Sequence, residues 1–192
     1  MANLADANRK VKLEIGKLQN LVSILTKGVP KVKVGILGEK NGRRAVEHNE
    51  VKSGKNKGNI RVKKLKASSL KTNSEIGYEN EFGVISGKNR KPRRSFIIYP
   101  LTSKHFKDRL RGRKSTTQKA FERALETGNI VSFMKRVGFV AEETIQSAFE
   151  TRGWGVWAPN SPITIAIKGS DSPLIDSAQL REAVTSEVNK HT

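Results

Sequence analysis

The most distinctive stretch of this sequence is its C-terminal quarter, residues 153–192, where both tryptophans and three of the six prolines lie close together. Within it, the isoleucines of residues 163–167 alternate with other residues, which is the pattern of a short β-strand. Asp176 or Ser177 is a candidate helix N-cap. Residues 178–188 fit either a helix or a strand. The quarter therefore predicts a tightly specified corner of a fold.

Three motifs follow one another in this quarter: a Trp-x-Pro-x-Ser-Pro-x-Thr segment, a loop containing lysine, and a Pro-Leu-Ile-Asp box. Their residues are Trp157, Pro159, Ser161, Pro162, Thr164, Lys168, Pro173, Leu174, Ile175, Asp176 and Leu180. In this order they resemble the end of the tailed-phage virion-morphogenesis family, also called tail-completion or neck proteins. Ser177 and Ala178 stand where that family has Thr-Gly. The resemblance implies a short turn of helix and a closing strand over residues 178–188.

A second group of motifs lies upstream. Residues 72–83 predict a short helix, with Asn73 or Ser74 as its N-cap and Gly83 at its end. The helix end and the segment after it contain Glu81, Phe82, Gly83, Pro92, Arg94 and Phe96. These residues resemble the same family, although Ser95 stands where the family has Pro.

The resemblance also includes two helices separated by a break at Gly128, so that it covers about residues 76–188. We therefore expect residues 1–192 to form a single domain, in which residues 73–192 resemble the phage family. Residues 39–72 lie outside the resemblance and are expected to be an insertion.

The chain is strongly basic. Its 37 Lys and Arg residues against 18 Asp and Glu residues give a formal net charge of +19. A charge of this size predicts an acidic protein surface or a nucleic acid as partner. There is no cysteine, which excludes disulfides, thiolate nucleophiles and Cys-based zinc sites and favours assembly in the cytoplasm. We find no apolar run that would span a membrane and no signal-peptide pattern at the N-terminus.

Two basic clusters carry much of this charge, one over residues 52–71 and one over residues 88–114. The first is predicted to be an arm whose Ile60, Val62 and Leu65 can pair as a short β-ribbon once a partner is present. The arm either contacts phosphates or acidic protein, or is a solvated loop. The candidate contacts are Lys52, Lys55, Lys57, Arg61, Lys63, Lys64, Lys66, Lys71, Arg90, Lys91, Arg93 and Arg94.

Apolar periodicity predicts three long helices, over residues 4–27, 115–126 and 129–151. The stripe of the first contains Leu4, Val11, Ile15, Leu18, Val22 and Leu25. That stripe fits a partner-binding or coiled-coil helix, but we expect it to cover the chain's own sheet, because it lasts only about three heptads. Strands are predicted over residues 31–37 and 96–99.

No catalytic or metal-binding pattern stands out. Glu79 and Glu81 are two apart on a helix and point to different faces, so they are predicted to be a cap and an exposed charge. The three histidines have no ligand spacing, and no phosphate-loop motif is present. Asp171 and Asp176 fit a turn and a helix cap. We therefore expect no enzyme, no cofactor and no metal.

Together these patterns predict an α+β fold, in which a small mixed or antiparallel sheet is packed by two to four helices and carries the basic insertion. The resemblance implies a structural virion protein that forms a ring, of six copies by family resemblance, at the junction of phage head and tail. Its expected partners are itself, neighbouring neck, connector or tail-terminator proteins, and passing DNA. The alternative is a nucleic-acid-binding protein that uses the two basic clusters.

Overall fold

The computed structural model describes residues 4–38, 47–50, 60–63, 71–84, 91–112, 115–168, 171–174 and 179–189. The helices in these ranges are α1 (Leu4–Lys27), α2 (Asn73–Phe82), α3 (Ile98–Thr102), α4 (Lys104–Arg111), α5 (Thr116–Thr127), α6 (Ile130–Glu150), α7 (Pro162–Lys168) and α8 (Gln179–Glu182). The strands are β1 (Lys31–Ile36), β2 (Glu47–Glu50), β3 (Ile60–Lys63) and β4 (Val184–Asn189). The predicted α+β fold class is confirmed.

The described strands form two ladders of two strands each. β1 pairs with β4, and β2 pairs with β3 in antiparallel register, with Glu47 opposite Lys63 and Glu50 opposite Ile60. The β-ribbon predicted for the basic insertion is therefore present over β2 and β3, while Leu65 lies outside the described residues. The predicted short helix and closing strand near the C-terminus are also confirmed, as α8 and β4.

The chain divides into two compact units. One comprises Met1–Val34, Lys104–Glu142 and Ser186–Thr192, and the other comprises Gly35–Ser103 and Glu143–Thr185. In the first unit, α6 lies close to the β1–β4 ladder at Gly138, where an added Cβ would stand 2.5 Å from the Ser186 hydroxyl oxygen. Only a residue without a side chain allows this approach, so Gly138 lets α6 pack closely against the ladder.

Helix α1 packs in the first unit, but not through the predicted face. The side-chain amide of Asn20 donates to the backbone carbonyls of Leu125 and Glu126 at 2.7 and 3.3 Å, and Ile24 is buried. These bonds satisfy carbonyls in the last turn of α5, which have no partner inside their own helix. The stripe residues Val11, Ile15, Leu18, Val22 and Leu25, which were predicted to cover the sheet, are exposed instead, so that prediction is wrong.

The core of the second unit surrounds the C-terminal half of α6. Its largest fully buried side chains include Phe96, Ile145, Phe149 and Leu180. The ring of Phe149 contacts the rings of Phe96 and Trp157, with centroids 5.5 and 5.6 Å apart. Edge and tilted ring contacts of this kind add to the stabilisation that burial supplies.

Two predicted strands are helices. Residues 96–99 lead into α3, which contains Pro100 in its first turn, where a missing amide hydrogen costs nothing. Residues 163–167 lie in α7, because the Ser161 hydroxyl accepts a hydrogen bond of 3.2 Å from the Thr164 amide and Pro162 occupies the first helical position. The cap and proline outweigh the alternation of isoleucines.

The cap of α2 also differs from the prediction. Thr72, rather than Asn73 or Ser74, is the N-cap, and its hydroxyl accepts from the Glu75 amide at 3.3 Å. The Glu75 carboxylate accepts from the Thr72 amide at 2.6 Å, which completes a capping box. The N-cap of α5 is Ser115, whose hydroxyl accepts from the Gln118 amide at 3.1 Å.

Candidate interaction site

Glu81, at the end of α2, is the central residue of the upstream motifs. It is 5% exposed, and its carboxylate accepts hydrogen bonds from the Ser95 hydroxyl and from the backbone amides of Phe96, Ile97 and Ile98, the last three at 2.8, 2.9 and 3.1 Å. These amides lead into the first turn of α3, where an anion is favoured. The prediction of an exposed charge is therefore wrong for Glu81, which fixes the 95–98 segment against α2.

Arg94 and Trp157 connect the upstream motifs to the C-terminal ones. The Arg94 guanidinium donates to the backbone carbonyls of Ala158 and Pro159, both at 2.9 Å, and the Trp157 indole donates to the Ser95 carbonyl at 3.1 Å. Burial lowers the pKa of Arg94 from its ordinary value. The motif residues, which lie more than 60 positions apart in the sequence, thus meet in one hydrogen-bonded network within the second unit.

The other motif residues have structural positions in the same unit. Leu174 and Leu180 are buried, and Leu174 has a positive φ of 63°. Phe82 is 49% exposed and its ring lies 4.8 Å from that of Tyr78. Pro92 and Pro159 are exposed. Asp176 lies outside the described residues.

A tight turn follows α6 and positions Trp157. Arg152, Gly153, Trp154 and Gly155 all have positive φ. An added Cβ at Gly153 would stand 2.5 Å from the Trp157 indole nitrogen, whereas one at Gly155 would meet nothing within 4 Å. Gly153 is therefore needed both for its backbone conformation and for the close approach of the indole.

The predicted polyanion contacts have several different positions. Six of them, Lys52, Lys55, Lys57, Lys64, Lys66 and Arg90, lie outside the described residues. Arg61 and Lys63 belong to β3. The ammonium groups of Lys71 and Lys91 both bind the Glu79 carboxylate, the second at 2.7 Å.

The remaining two predicted contacts are arginines that bind backbone carbonyls. Arg93 donates to the Glu81 carbonyl at 3.0 Å, and Arg94 is held as described above. The guanidinium nitrogens Nε and Nη2 of Arg94 are directed at carbonyls of this chain, so Arg94 has a structural role, and its assignment as a contact for polyanions stays a prediction.

Glu79 has a shifted pKa. Burial would raise the pKa of this carboxyl, but the hydrogen bonds and charges of Lys71 and Lys91 lower it by more, so that the pKa lies below its ordinary value. Glu79 thus stays ionised at neutral pH and offsets part of the positive charge on this side of α2.

Helix α4 lies within the basic cluster of residues 88–114, and its helical structure was not predicted from the sequence. Lys104, Lys107 and Arg111 are exposed and lie at i, i+3 and i+7, on one face, which Asp108 shares. Ser103 before it and Gly112 after it are typical of helix boundaries and were the available signal.

The described residues offer little for catalysis. They contain no group of three or more His, Cys, Asp and Glu residues that would hold a metal ion. A groove on α5, lined by Lys119, Glu122, Arg123, Glu126 and their neighbours, is open to solvent along one helix face. None of the helices described is both long and apolar enough to cross a membrane.

Comparison with protein-family models, curated proteins and solved structures gives no significant match.

Proposed function

We propose that this protein is a structural virion protein of a tailed phage, a neck or tail-completion subunit that joins the tail to the head. The observation that supports the proposal is the network of Glu81, Arg94, Ser95 and Trp157. The residues that resemble the family are used to join α2, α3 and the segment after α6. Shared residues of this kind favour a shared scaffold rather than a shared catalytic centre.

In this proposal the subunit forms a ring, of six copies by family resemblance, and contacts connector and tail-terminator proteins. A ring is built from heterologous interfaces, in which two different surfaces of each subunit meet. The high positive charge suits a subunit that lies beside passing DNA or acidic neighbours. The protein is assembled in the host cytoplasm and acts without cofactor, metal, membrane or small-molecule substrate.

The test is electron microscopy of a lysate of the parent phage in which this gene is disrupted. We expect DNA-filled heads and separate tails, and joined particles when the gene is supplied in trans. Normal joined particles in the disrupted strain would contradict the joining role. Negative-stain images of the purified protein test the ring independently, because a closed ring has a visible central opening.

The second candidate is a nucleic-acid-binding protein, and the exposed basic face of α4 favours it. Lys104, Lys107 and Arg111 lie within one helix face, where they can contact successive phosphates. Such binding is insensitive to sequence and falls steeply with salt. Binding of DNA by the purified protein, together with normal joined particles in the gene-disrupted strain, would indicate this function rather than the joining one.

A further inference from the structure

Helix α1 has an apolar stripe that nothing in the described part of the chain covers. Its residues Val11, Ile15, Leu18, Val22 and Leu25 are each between 50% and 65% exposed. The helix itself is held in place by a different face, which carries the buried Ile24. From this face Asn20 donates to the Leu125 carbonyl of α5, and Lys17 forms an ion pair of 3.7 Å with Glu126. A contiguous exposed apolar stripe on a helix that is already packed indicates an interaction surface.

The spacing of the stripe identifies the kind of partner. The residues repeat at alternating steps of three and four, with Ile15 and Val22 at the a positions of a heptad and Val11, Leu18 and Leu25 at the d positions. β-branched residues at a with leucine at d favour a parallel two-stranded coiled coil, and this stripe follows that rule except for Val11 at the first d position. The preceding a position holds Asn8, which is exposed. A single asparagine at an a position fixes the register of such pairs.

We infer that α1 binds α1 of a second copy of this chain, in parallel and in register. From Val11 to Leu25 the stripe spans about 21 Å at a rise of about 1.5 Å per residue. Each side chain of the stripe would meet its own equivalent across the pair, so the two apolar surfaces match without any further element. An isologous contact of this type is the commonest way in which two identical chains associate.

Charge at the margins of the stripe favours a second copy over an acidic partner. The e and g positions beside the stripe hold Lys12, Glu14, Gln19 and Leu21, one cation and one anion. In a parallel pair, Glu14 of one copy faces Gln19 of the other, so no like charges are opposed. The high positive charge of the chain therefore lies away from the stripe. The positions beside the stripe are not basic, so they would not favour an acidic helix as the partner.

The inference rests on the proposed function only for the expectation that copies of the chain associate. An isologous pair through α1 and a heterologous ring contact use different surfaces, so each can fail without the other. Gene disruption tests the joining role, whereas the experiments below test the seam directly in the purified protein.

The absence of cysteine makes a cross-linking test possible. We expect Val11→Cys and Leu25→Cys, each as the single cysteine of the full chain, to form disulfide-linked dimers on mild oxidation. In an antiparallel pair centred on Leu18, position 11 would face position 25, and only a mixture of the two variants would cross-link. Lys10→Cys is the control, because it is exposed on α1 but lies off the stripe.

Sedimentation velocity over a range of concentrations gives the second test. We expect the unmodified protein to dimerise and Leu18→Lys to shift the equilibrium to monomer, with an unchanged circular dichroism spectrum because Leu18 is exposed. Leu13→Lys is the matched control, since Leu13 is exposed on the same helix but outside the stripe. A protein that is monomeric at every concentration, or that cross-links only in the mixture, overturns the inference. The stripe would then bind a helix of another protein, or form an antiparallel pair.

Discussion

The carboxylate of Glu81 accepts a hydrogen bond of 2.8 Å from the backbone amide of Phe96, 15 residues further along the chain. The same carboxylate accepts from three more donors, at Ser95, Ile97 and Ile98. We predict that Glu81→Gln lowers the free energy of unfolding by about 2–4 kcal/mol, because one carboxylate oxygen is replaced by an amide nitrogen that cannot accept. Urea unfolding, followed by circular dichroism, measures the loss.

The matched control is Glu79→Gln, which makes the same chemical change two positions away. Glu79 is partly exposed and binds Lys71 and Lys91. Removal of an ion pair near the surface costs less than about 1 kcal/mol. Equal losses for the two variants would mean that Glu81 has no special role in the 95–98 segment.

The turn after α6 gives a second matched pair, Gly153→Ala and Gly155→Ala. Both glycines have positive φ, at 62° and 83°, so both substitutions strain the backbone by about 1–2 kcal/mol. Only at Gly153 does the new methyl group also collide with the Trp157 indole. We predict that Gly153→Ala costs about 1–3 kcal/mol more than Gly155→Ala, as in overpacked cores. Thermal unfolding of the two variants checks this, and equal costs would rule out the close approach.

The pKa of Glu79 gives a prediction for pH. This carboxyl has a pKa below its ordinary value of about 4.5 in the folded protein, because Lys71 and Lys91 outweigh the effect of burial. A carboxyl of this kind stabilises the fold above its unfolded pKa, and the contribution is lost as the pH falls through the folded pKa. We therefore expect the stability difference between the unmodified protein and Glu79→Gln to be present at pH 7 and to vanish in strong acid.

The pKa itself is measured by NMR titration of the Glu79 side chain. Lys71→Met and Lys91→Met should each raise it, because each removes one hydrogen bond to the carboxylate. A pKa that neither variant changes would contradict the assigned cause.

The long helices were predictable because their signals are local. The apolar periodicity of α6 lies within the helix that it predicts, and the capping serine of α5 directly precedes that helix. The structure of the short runs at 96–99 and 163–167 was not predictable, since runs of four or five mainly apolar residues fit a strand or a helix equally well. For the first run, the carboxylate of Glu81 provides acceptors for the amides that lead into α3, and no local pattern contains that information.

The sequence indicated which residues belong to the candidate site, but not the contacts that they make. A count of basic residues places Arg94 among the cations available to a polyanion, yet its guanidinium binds carbonyls 64 and 65 residues further along the chain. The exposed face of α1 was recognisable as a heptad stripe. Which face of α1 packs on the chain itself depends on Asn20 and the carbonyls of α5, and this contact has no signature in the sequence of α1.

DNA binding through α4 predicts a specific change in salt dependence. In the triple variant Lys104→Gln, Lys107→Gln and Arg111→Gln, three phosphate contacts are lost. The slope of log affinity against log salt should therefore fall by about 2–3, at about 0.9 per contact. Fluorescence anisotropy with duplex DNA, between about 50 and 200 mM NaCl, measures this slope.

The control for this experiment removes the same charge elsewhere. Lys10, Lys31 and Lys33 are exposed on α1 and β1, and their replacement by glutamine also lowers the net charge by three. If α4 contacts the phosphates, the control keeps the original slope, because counterion release counts only the cations at the interface. Equal slopes for the two triple variants would mean that total charge governs binding and that α4 is not the DNA-contacting surface.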